Sequence, residues 1–419
     1  MLTVANALER VLSAATPMPP ERVPLQQARG RVLAEVVTSP RDVPPWDNSA
    51  MDGFAVRVSD FVDGRATLVV LETIGAGSVP TVDVGPGQCS RIMTGAPMPP
   101  GADAVVMVED SSEHELGVSL VARPTLRQHV RPRGGDVAEG EAVLAPGHVL
   151  DAAAIGMLSA LGIPSVMVAQ RPLVAILSTG DEVVEVGWPL AAGQIYSSNT
   201  LALMGLVEAA GGIPLHCGIA PDDEAGLRAA LKRCLRADLV LTTGGVSVGD
   251  FDHVKDAFDG TLDFWKVRMK PGKPLAFGRM GGRPAVGLPG NPVSCMVGFL
   301  QFVRPVLRTM LGDRRPYLPV VEATLESPLA KKPGRAHFVR VQLAWSADGL
   351  VARSTGTQSS GVLRSMVQAD GFALLPAASG PVGVGERVRV QVLDWRWASG
   401  SEPAYGFDDT DVDHLPHRC

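Results

Sequence analysis

The chain has 419 residues, 46% of them hydrophobic, which suffices for several buried cores and predicts about three domains. Its 38 basic and 44 acidic residues leave a net charge of −6, which excludes a general nucleic-acid binder but leaves room for a local basic site. No stretch reaches the ~18 uninterrupted apolar residues of a membrane span. Five scattered cysteines (Cys89, Cys217, Cys234, Cys295, Cys419) without a C-x-x-C pair, and eight histidines without a cluster, point to a reducing, cytoplasmic setting and away from a zinc site.

Val4, Leu8, Val11 and Leu12 fall at helical spacing, so the chain opens on an amphipathic helix rather than a signal peptide. The Pro-rich "SPRDVPPWDNSAMDG" follows. Short strand-like runs such as "FAVRV", "ATLVVLE" and "ADAVVMVED" come next, separated by Gly and Pro turns, and "DAAAIGMLSALGI" closes the region. Residues 1–170 are therefore expected to form a β-rich, mixed α/β N-terminal region of two subdomains.

From residue 171 to 315 strands and helices alternate. "RPLVAILSTGDE", "LVLTTGGVSVGD" and "RPAVGLPGNP" are apolar runs ending in glycine turns, and helical stretches lie between them. Alternation of this kind predicts a central, doubly wound parallel sheet covered on both faces. Over 316–396 "VVEATL", "HFVRVQLAW", "GFALLP" and "ERVRVQVLDW" alternate apolar and polar residues, as in an antiparallel, barrel-like β domain. The acidic, polar tail 397–419 reads as disordered. The fold class is multidomain α/β plus β.

Ligands of an open parallel sheet bind beyond the carboxyl ends of its strands. Three loops fall there: Ser178, Thr179, Gly180, Asp181 and Glu182; Thr242 to Asp252, with Gly244, Gly245 and Ser247; and Leu288 to Pro292, with Pro289, Gly290 and Asn291. Glycines allow close backbone approach, and helix N-termini favour anions. Neither a Walker sequence nor a dinucleotide fingerprint is present. Glycines that merely turn the chain remain the alternative for any single loop.

"FWKVRMKPGKP" read as one strand puts Lys266, Arg268 and Lys270 on one face, with same-face neighbours about 6.6–7 Å apart. Lys273 follows the Pro271–Gly272 turn. These four cations are either a solvated face or a rigid anion-binding edge. Asp181, Glu182, Asp222, Asp223, Asp250 and Asp252 lie at or near strand-to-helix loops. They serve as helix caps, or they hold Mg²⁺ beside a phosphate. In the first region Asp47, Asn48, Ser49, Asp52, Thr94 and Asp136 could reach a ligand, but ordinary turn chemistry explains them equally well.

With these motifs in order ("DNSAMDGFA", "RIMTGAPMP", "RGGD", "LSTGDE", "GQIYSSN", "TTGGVSVGDFD", "MKPGKP", "GLPGNPVS") the chain resembles the molybdopterin molybdenumtransferase family, which includes the C-terminal enzyme domain of gephyrin. The resemblance runs over about residues 3 to 395 and implies insertion of molybdate into adenylylated molybdopterin. Mg²⁺ would assist, and molybdenum cofactor and AMP would be the products. It implies catalytic roles for Asp252, Asp222, Glu182, Lys266, Lys270, Asp52 and Asp136, with Asp222, Asp252 and Glu182 as Mg²⁺ ligands. Thr94, Ser178, Thr179, Gly180, Gly244, Gly245, Ser247, Lys273, Pro289, Gly290, Asn291 and Pro292 would bind substrate. It further implies a homodimer in which the first region of one subunit, through Asp47 or Asp52, Thr94 and Asp136, completes the cleft of the other. A molybdopterin adenylyltransferase or a cofactor-acceptor enzyme would be the protein partner. Ser197 departs from the pattern, since the family commonly has an acid there. A molybdopterin adenylyltransferase, and a scaffold without activity, are the competing readings; the flanking domains disfavour the first and the lack of an appended second enzyme domain the second.

Overall fold

The chain, described as a computed structural model over residues 1–221, 224–244 and 264–399, divides into two units. One is Pro20–Val168; the other joins Met1–Pro19 to the chain from Ala169 onward.

In the Pro20–Val168 unit, strands from both ends of the sequence pair. Pro20–Pro24 lies against Ser165–Ala169, and Val37–Thr38 against Ala142–Leu144. The helix Ala152–Ala160 starts where the Asp151 carboxylate accepts from the Ala154 N–H at 2.9 Å. Its Leu158 packs with Leu33, Leu150 and Val166. The middle of the unit builds a six-stranded sheet in the order Ala104–Met107, Gly53–Val56, Gln88–Ile92, Arg65–Ile74, Gly117–Val121, Ser111–His114. Phe54, Leu68, Val106 and Leu120 form part of its core.

The second unit contains the doubly wound sheet. Its order is Ile213–Ala220, Leu173–Thr179, Leu239–Thr243, Arg283–Leu288, Pro274–Met280, Phe264–Lys266. The first four strands are parallel and the last two add antiparallel edges. Successive residues of Leu173–Thr179 enter opposite layers. Val174 and Ile176 pack with Leu203 and Val207, while Ala175 and Leu177 pack with Leu227 and Ala230. Burial on both faces is why these strands show no polar alternation in sequence.

The first helix, Val4–Leu12, belongs to this unit. Ala7 and Val11 are buried among Val267, Phe302 and Leu307. Sequence pattern grouped it with the N-terminal region, but amphipathicity reveals that a helix has a buried side and not what covers it.

Five strands close a barrel after residue 316. Ala336–Ser346 pairs with Gly349–Ser354, then the ring continues through Val320–Leu325, Arg387–Val392 and Gly371–Leu375 back to Ala336–Ser346. One pairing, Val320–Leu325 with Gly349–Ser354, is parallel rather than antiparallel. Val339, Val341, Leu343 and Val390 are among its buried core. The expected tail begins inside a short turn, Arg396–Ala398, where Trp397 stacks on Trp395 at 5.8 Å. Residues 400–419 lie outside the described residues.

Candidate functional site

Register explains why separate loops meet. Ser178 pairs with Thr243, and Thr243 with Leu288, so three adjacent parallel strands end at one level. The chain order of these strands reverses between Leu173–Thr179 and Leu239–Thr243, which is where an open α/β sheet leaves a crevice. A cavity of about 430 Å³ occupies it, lined by Ser178, Thr179, Glu182, Thr243, Gly244 and Pro289 to Pro292, with Ile195 to Asn199.

The walls of the crevice touch through backbone. Gly244 has φ +96°, and a Cβ built there would stand 2.7 Å from the Thr179 carbonyl oxygen. Gly180, φ +131°, lies under the Glu182 carboxylate, where a Cβ would come within 2.5 Å of Oε2. Asn199 straps the other two loops together: its Nδ2 donates to Thr243 Oγ1 and to the Gly290 carbonyl, both at 2.8 Å.

Thr179 Oγ1 and Asn199 Oδ1 are buried without a hydrogen-bond partner among the described residues, and both belong to residues lining the cavity. Buried polar atoms are nearly always satisfied, so two orphans in one crevice mark places for a polar ligand or ordered water. The helix Ser198–Ala209 also starts there. Its N-cap Ser197 spends its hydroxyl on Thr200 Oγ1 at 2.7 Å, leaving the first-turn N–H groups without a side-chain cap. Thr200 Oγ1 also meets Ser178 Oγ at 2.7 Å, so three buried hydroxyls form a neutral cluster where an acid was the expected residue.

Next to this crevice, and sharing Pro274, Pro289 and Asn291 with it, is a cavity of about 530 Å³ lined by Lys270, Lys273, Ser294, Arg335, Gln358 and Ser359 among others. Lys270, Lys273 and Arg335 are not ion-paired among the described residues. A purely cationic pocket of this kind suits an oxyanion.

The lysine segment is not one strand. Phe264–Lys266 ends the α/β sheet, whereas Met269–Lys270 pairs with Ala336–His337 of the barrel. Between them Val267 donates to the Lys273 carbonyl at 2.9 Å, and the Arg268 N–H bonds Leu2. The expected alternation survives the break. Val267 and Met269 are buried, Lys266 is half-buried, and Arg268 and Lys270 are exposed. Lys270 and Lys273 line the second cavity; Lys266 and Arg268 line neither.

In the Pro20–Val168 unit Asp52 and Thr94 are partners. The Thr94 N–H donates to the Asp52 carboxylate at 2.6 Å and, with the Thr94 hydroxyl, holds its pKa below the usual range. Asp47 is bound to Arg127 and accepts from the Arg133 N–H at 2.8 Å. The Arg127 bond is the larger cause of its lowered pKa. Asp136 is exposed. Asp222, Asp252, Gly245 and Ser247 lie outside the described residues.

Three family models match the chain in order: the MoeA N-terminal region (domain I and II) over residues 2–162, the probable molybdopterin binding domain over 175–309, and the MoeA C-terminal region (domain IV) over 322–393. Molybdopterin molybdenumtransferase 2 of Mycobacterium tuberculosis is 40% identical over 384 residues, 88% of this chain and 94% of the relative. The molybdopterin molybdenumtransferase of Haemophilus influenzae is 39% identical over 93% of this chain and 98% of its own. The chain belongs to the molybdopterin molybdenumtransferase family.

A crystal structure of the molybdopterin biosynthesis moeA protein from Pyrococcus horikoshii OT3 superposes with a TM-score of 0.81 at 31% identity, covering 94% of this chain and 100% of that one. In this chain Asn199, Arg335, Gln358 and Ser359 enter the cavities without having been singled out as site residues in the sequence, whereas Thr243 belongs to the loop from Thr242 that was. Asn199 sits at a helix start in "GQIYSSN", a usable signal. Arg335 follows a turn in the barrel and carries none.

Proposed function

We infer that this chain inserts molybdate into adenylylated molybdopterin and releases AMP. What supports the reading most is one juxtaposition: a crevice with phosphate-type loops and two orphaned polar atoms opens beside a pocket of cations without counterions. The glycine loops, Asn199 and the uncapped N-terminus of Ser198–Ala209 take the phosphorylated pterin. Lys270, Lys273 and Arg335 hold the molybdate dianion, and Lys266 and Arg268 raise the potential nearby. Pro289 and Pro292, on either side of Gly290 and Asn291, keep the shared wall rigid.

Among the described residues no group of three His, Cys, Asp or Glu side chains is placed to hold a metal ion. Mg²⁺ needs only one or two carboxylates when phosphate oxygens fill other positions. Glu182, over the crevice at Gly180, fits that requirement. Asp222 and Asp252 are its companions by resemblance. When bound, the ion would neutralise charge at the adenylate link. A homodimer in which Asp52, Thr94 and Asp136 of a second subunit complete the cleft is part of the same proposal, as is work in the cytoplasm beside a molybdopterin adenylyltransferase. No helix among the described residues is long and apolar enough to cross a membrane.

The test is AMP release from adenylylated molybdopterin with and without molybdate, in Mg²⁺. Release should require molybdate and yield active cofactor. Lys270→Ala should raise the molybdate requirement more than the pterin requirement. Release that ignores molybdate, with no cofactor formed, would overturn the reading in favour of an adenylyltransferase-type activity.

A further inference from the structure

The strand Ile213–Ala220 is the outer edge of the parallel sheet, and it carries an irregularity. Ile176 pairs with His216 and Ser178 with Ile219, so Leu177 stands opposite two residues, Cys217 and Gly218. This is a β-bulge, and Gly218 takes φ +83° in it. The bulge shifts the alternation by one. Leu215, Cys217 and then Ala220, rather than Ile219, turn to the layer of the helix Glu224–Cys234. In that layer Cys217, 4% exposed, meets Cys234, the fully buried last residue of the helix.

The two thiols are hydrogen-bond partners. Arg233, one residue before Cys234, donates from Nε and Nη2 to the Cys217 carbonyl at 3.2 and 2.9 Å, which pins the end of the helix to this point of the strand. The other contacts of the sulfurs are long. As thiols, Cys217 Sγ donates to the Leu215 carbonyl at 3.7 Å and Cys234 Sγ to the Ala230 carbonyl at 3.6 Å.

A thiolate, not a thiol, attacks a peroxide. The hydrogen bond from Cys234 comes first in lowering the Cys217 pKa, and Arg233 and Arg236 add to it against the cost of burial. The same hydrogen bond, with burial, raises that of Cys234. One sulfur is therefore suited to attack and the other to follow. Cys89 and Cys295, also buried, are instead pushed up to about 12 by burial, which leaves them inert. Exposed His216 and half-buried Gly218 flank Cys217 on the edge strand, so a small oxidant has a short path to it.

We propose that Cys217 and Cys234 form a modification site, a dithiol that a hydroperoxide closes to a disulfide. The Cys217 sulfur attacks one peroxide oxygen. An S–O bond forms, the O–O bond breaks, and the other oxygen takes a proton and leaves as alcohol or water. The Cys234 sulfur then attacks the Cys217 sulfur. The S–O bond breaks, and hydroxide leaves as water with the Cys234 proton. The two thiols lose two electrons and the hydroperoxide gains them. In a reducing setting the bond is transient, and while it lasts it fixes the helix Glu224–Cys234 to the edge strand. None of this depends on the transferase reading.

The test is brief treatment of the folded full chain with hydrogen peroxide, then thiol titration in denaturant and peptide mapping. Free thiols should fall by two per chain, with one link between Cys217 and Cys234, and dithiothreitol should restore both. Cys419→Ser, which removes the thiol outside the described residues, should form the same link. Cys234→Ser keeps a hydroxyl to bond position 217 and should trap a sulfenic acid at Cys217, read as a dimedone adduct. Cys217→Ser should leave Cys234 a thiol. The oxidised chain should unfold at higher urea than the reduced one, because the closed ring constrains the unfolded state. Absence of the link in folded wild type, oxidation of Cys89 or Cys295 as fast as Cys217, or a disulfide that lowers the urea midpoint would overturn the proposal.

Discussion

Gly244→Ala is the sharpest probe of the crevice. The residue has φ +96°, and the added methyl would stand 2.7 Å from the Thr179 carbonyl oxygen and 2.8 Å from Thr179 Oγ1. The hydroxyl can rotate away, but the carbonyl belongs to a central strand and cannot. A left-handed backbone costs an L-residue about 1–2 kcal/mol and overpacking about 1–3 kcal/mol, so the sum is about 2–5 kcal/mol. Relief comes by moving the 244 loop off Thr179, which widens the crevice. Misplacement of about 1 Å at a reacting site can cost about 10²-fold in rate. The control is Gly290→Ala, whose methyl would meet only Gly244 Cα at 3.6 Å, an ordinary contact. Urea unfolding and molybdate-dependent AMP release should show Gly244→Ala impaired in both, while Gly290→Ala should keep the wild-type urea midpoint. If Gly244→Ala kept the wild-type midpoint and turnover, the close approach of the two loops would be wrong.

Two stability predictions follow from the buried charges. Asp313 is the carboxylate of the Arg308 pair, with side-chain exposures of 4% and 10%, so Asp313→Ala should destabilise by about 3–5 kcal/mol through the stranded arginine, measured by chemical denaturation. His337 titrates near 4 in the fold, below the ~6.5 of an ordinary imidazole, so the unfolded chain binds more protons between those values. Its contribution is whole above about 6.5 and is lost as pH falls towards 4. Wild type should therefore lose more stability than His337→Gln across that window, and equal losses would refute the assignment.

The parallel sheet was legible because strands buried on both faces must be apolar throughout, and each apolar run ended in a recognisable glycine loop. That Ser178, Thr243 and Leu288 end level was not legible, since register is set by pairing rather than by any one strand. The lysine segment shows the limit most clearly. Its alternation predicted which side chains are buried, but not that Phe264–Lys266 and Met269–Lys270 join different sheets. Arg335, Gln358 and Ser359 come from the barrel, more than sixty residues past Lys270, and only tertiary packing brings them there. Ser197 was visible as a departure from the family pattern. The hydroxyl cluster it makes with Ser178 and Thr200 required coordinates.

The path of the chain near Pro19 bears on how this protein can be dissected. The Gln170 N–H bonds the Pro19 carbonyl at 2.9 Å, so the chain leaves and re-enters one unit at neighbouring points. Pro20–Val168 is therefore a looped-out insertion that could be excised and the ends rejoined across that bond. Truncation from the N-terminus is not equivalent. A chain starting at Ala169 would lose Ala7 and Val11 from the core they share with Val267, Phe302 and Leu307. Modular shuffling among relatives would have to carry the first nineteen residues with the central sheet, although 149 residues of sequence separate them.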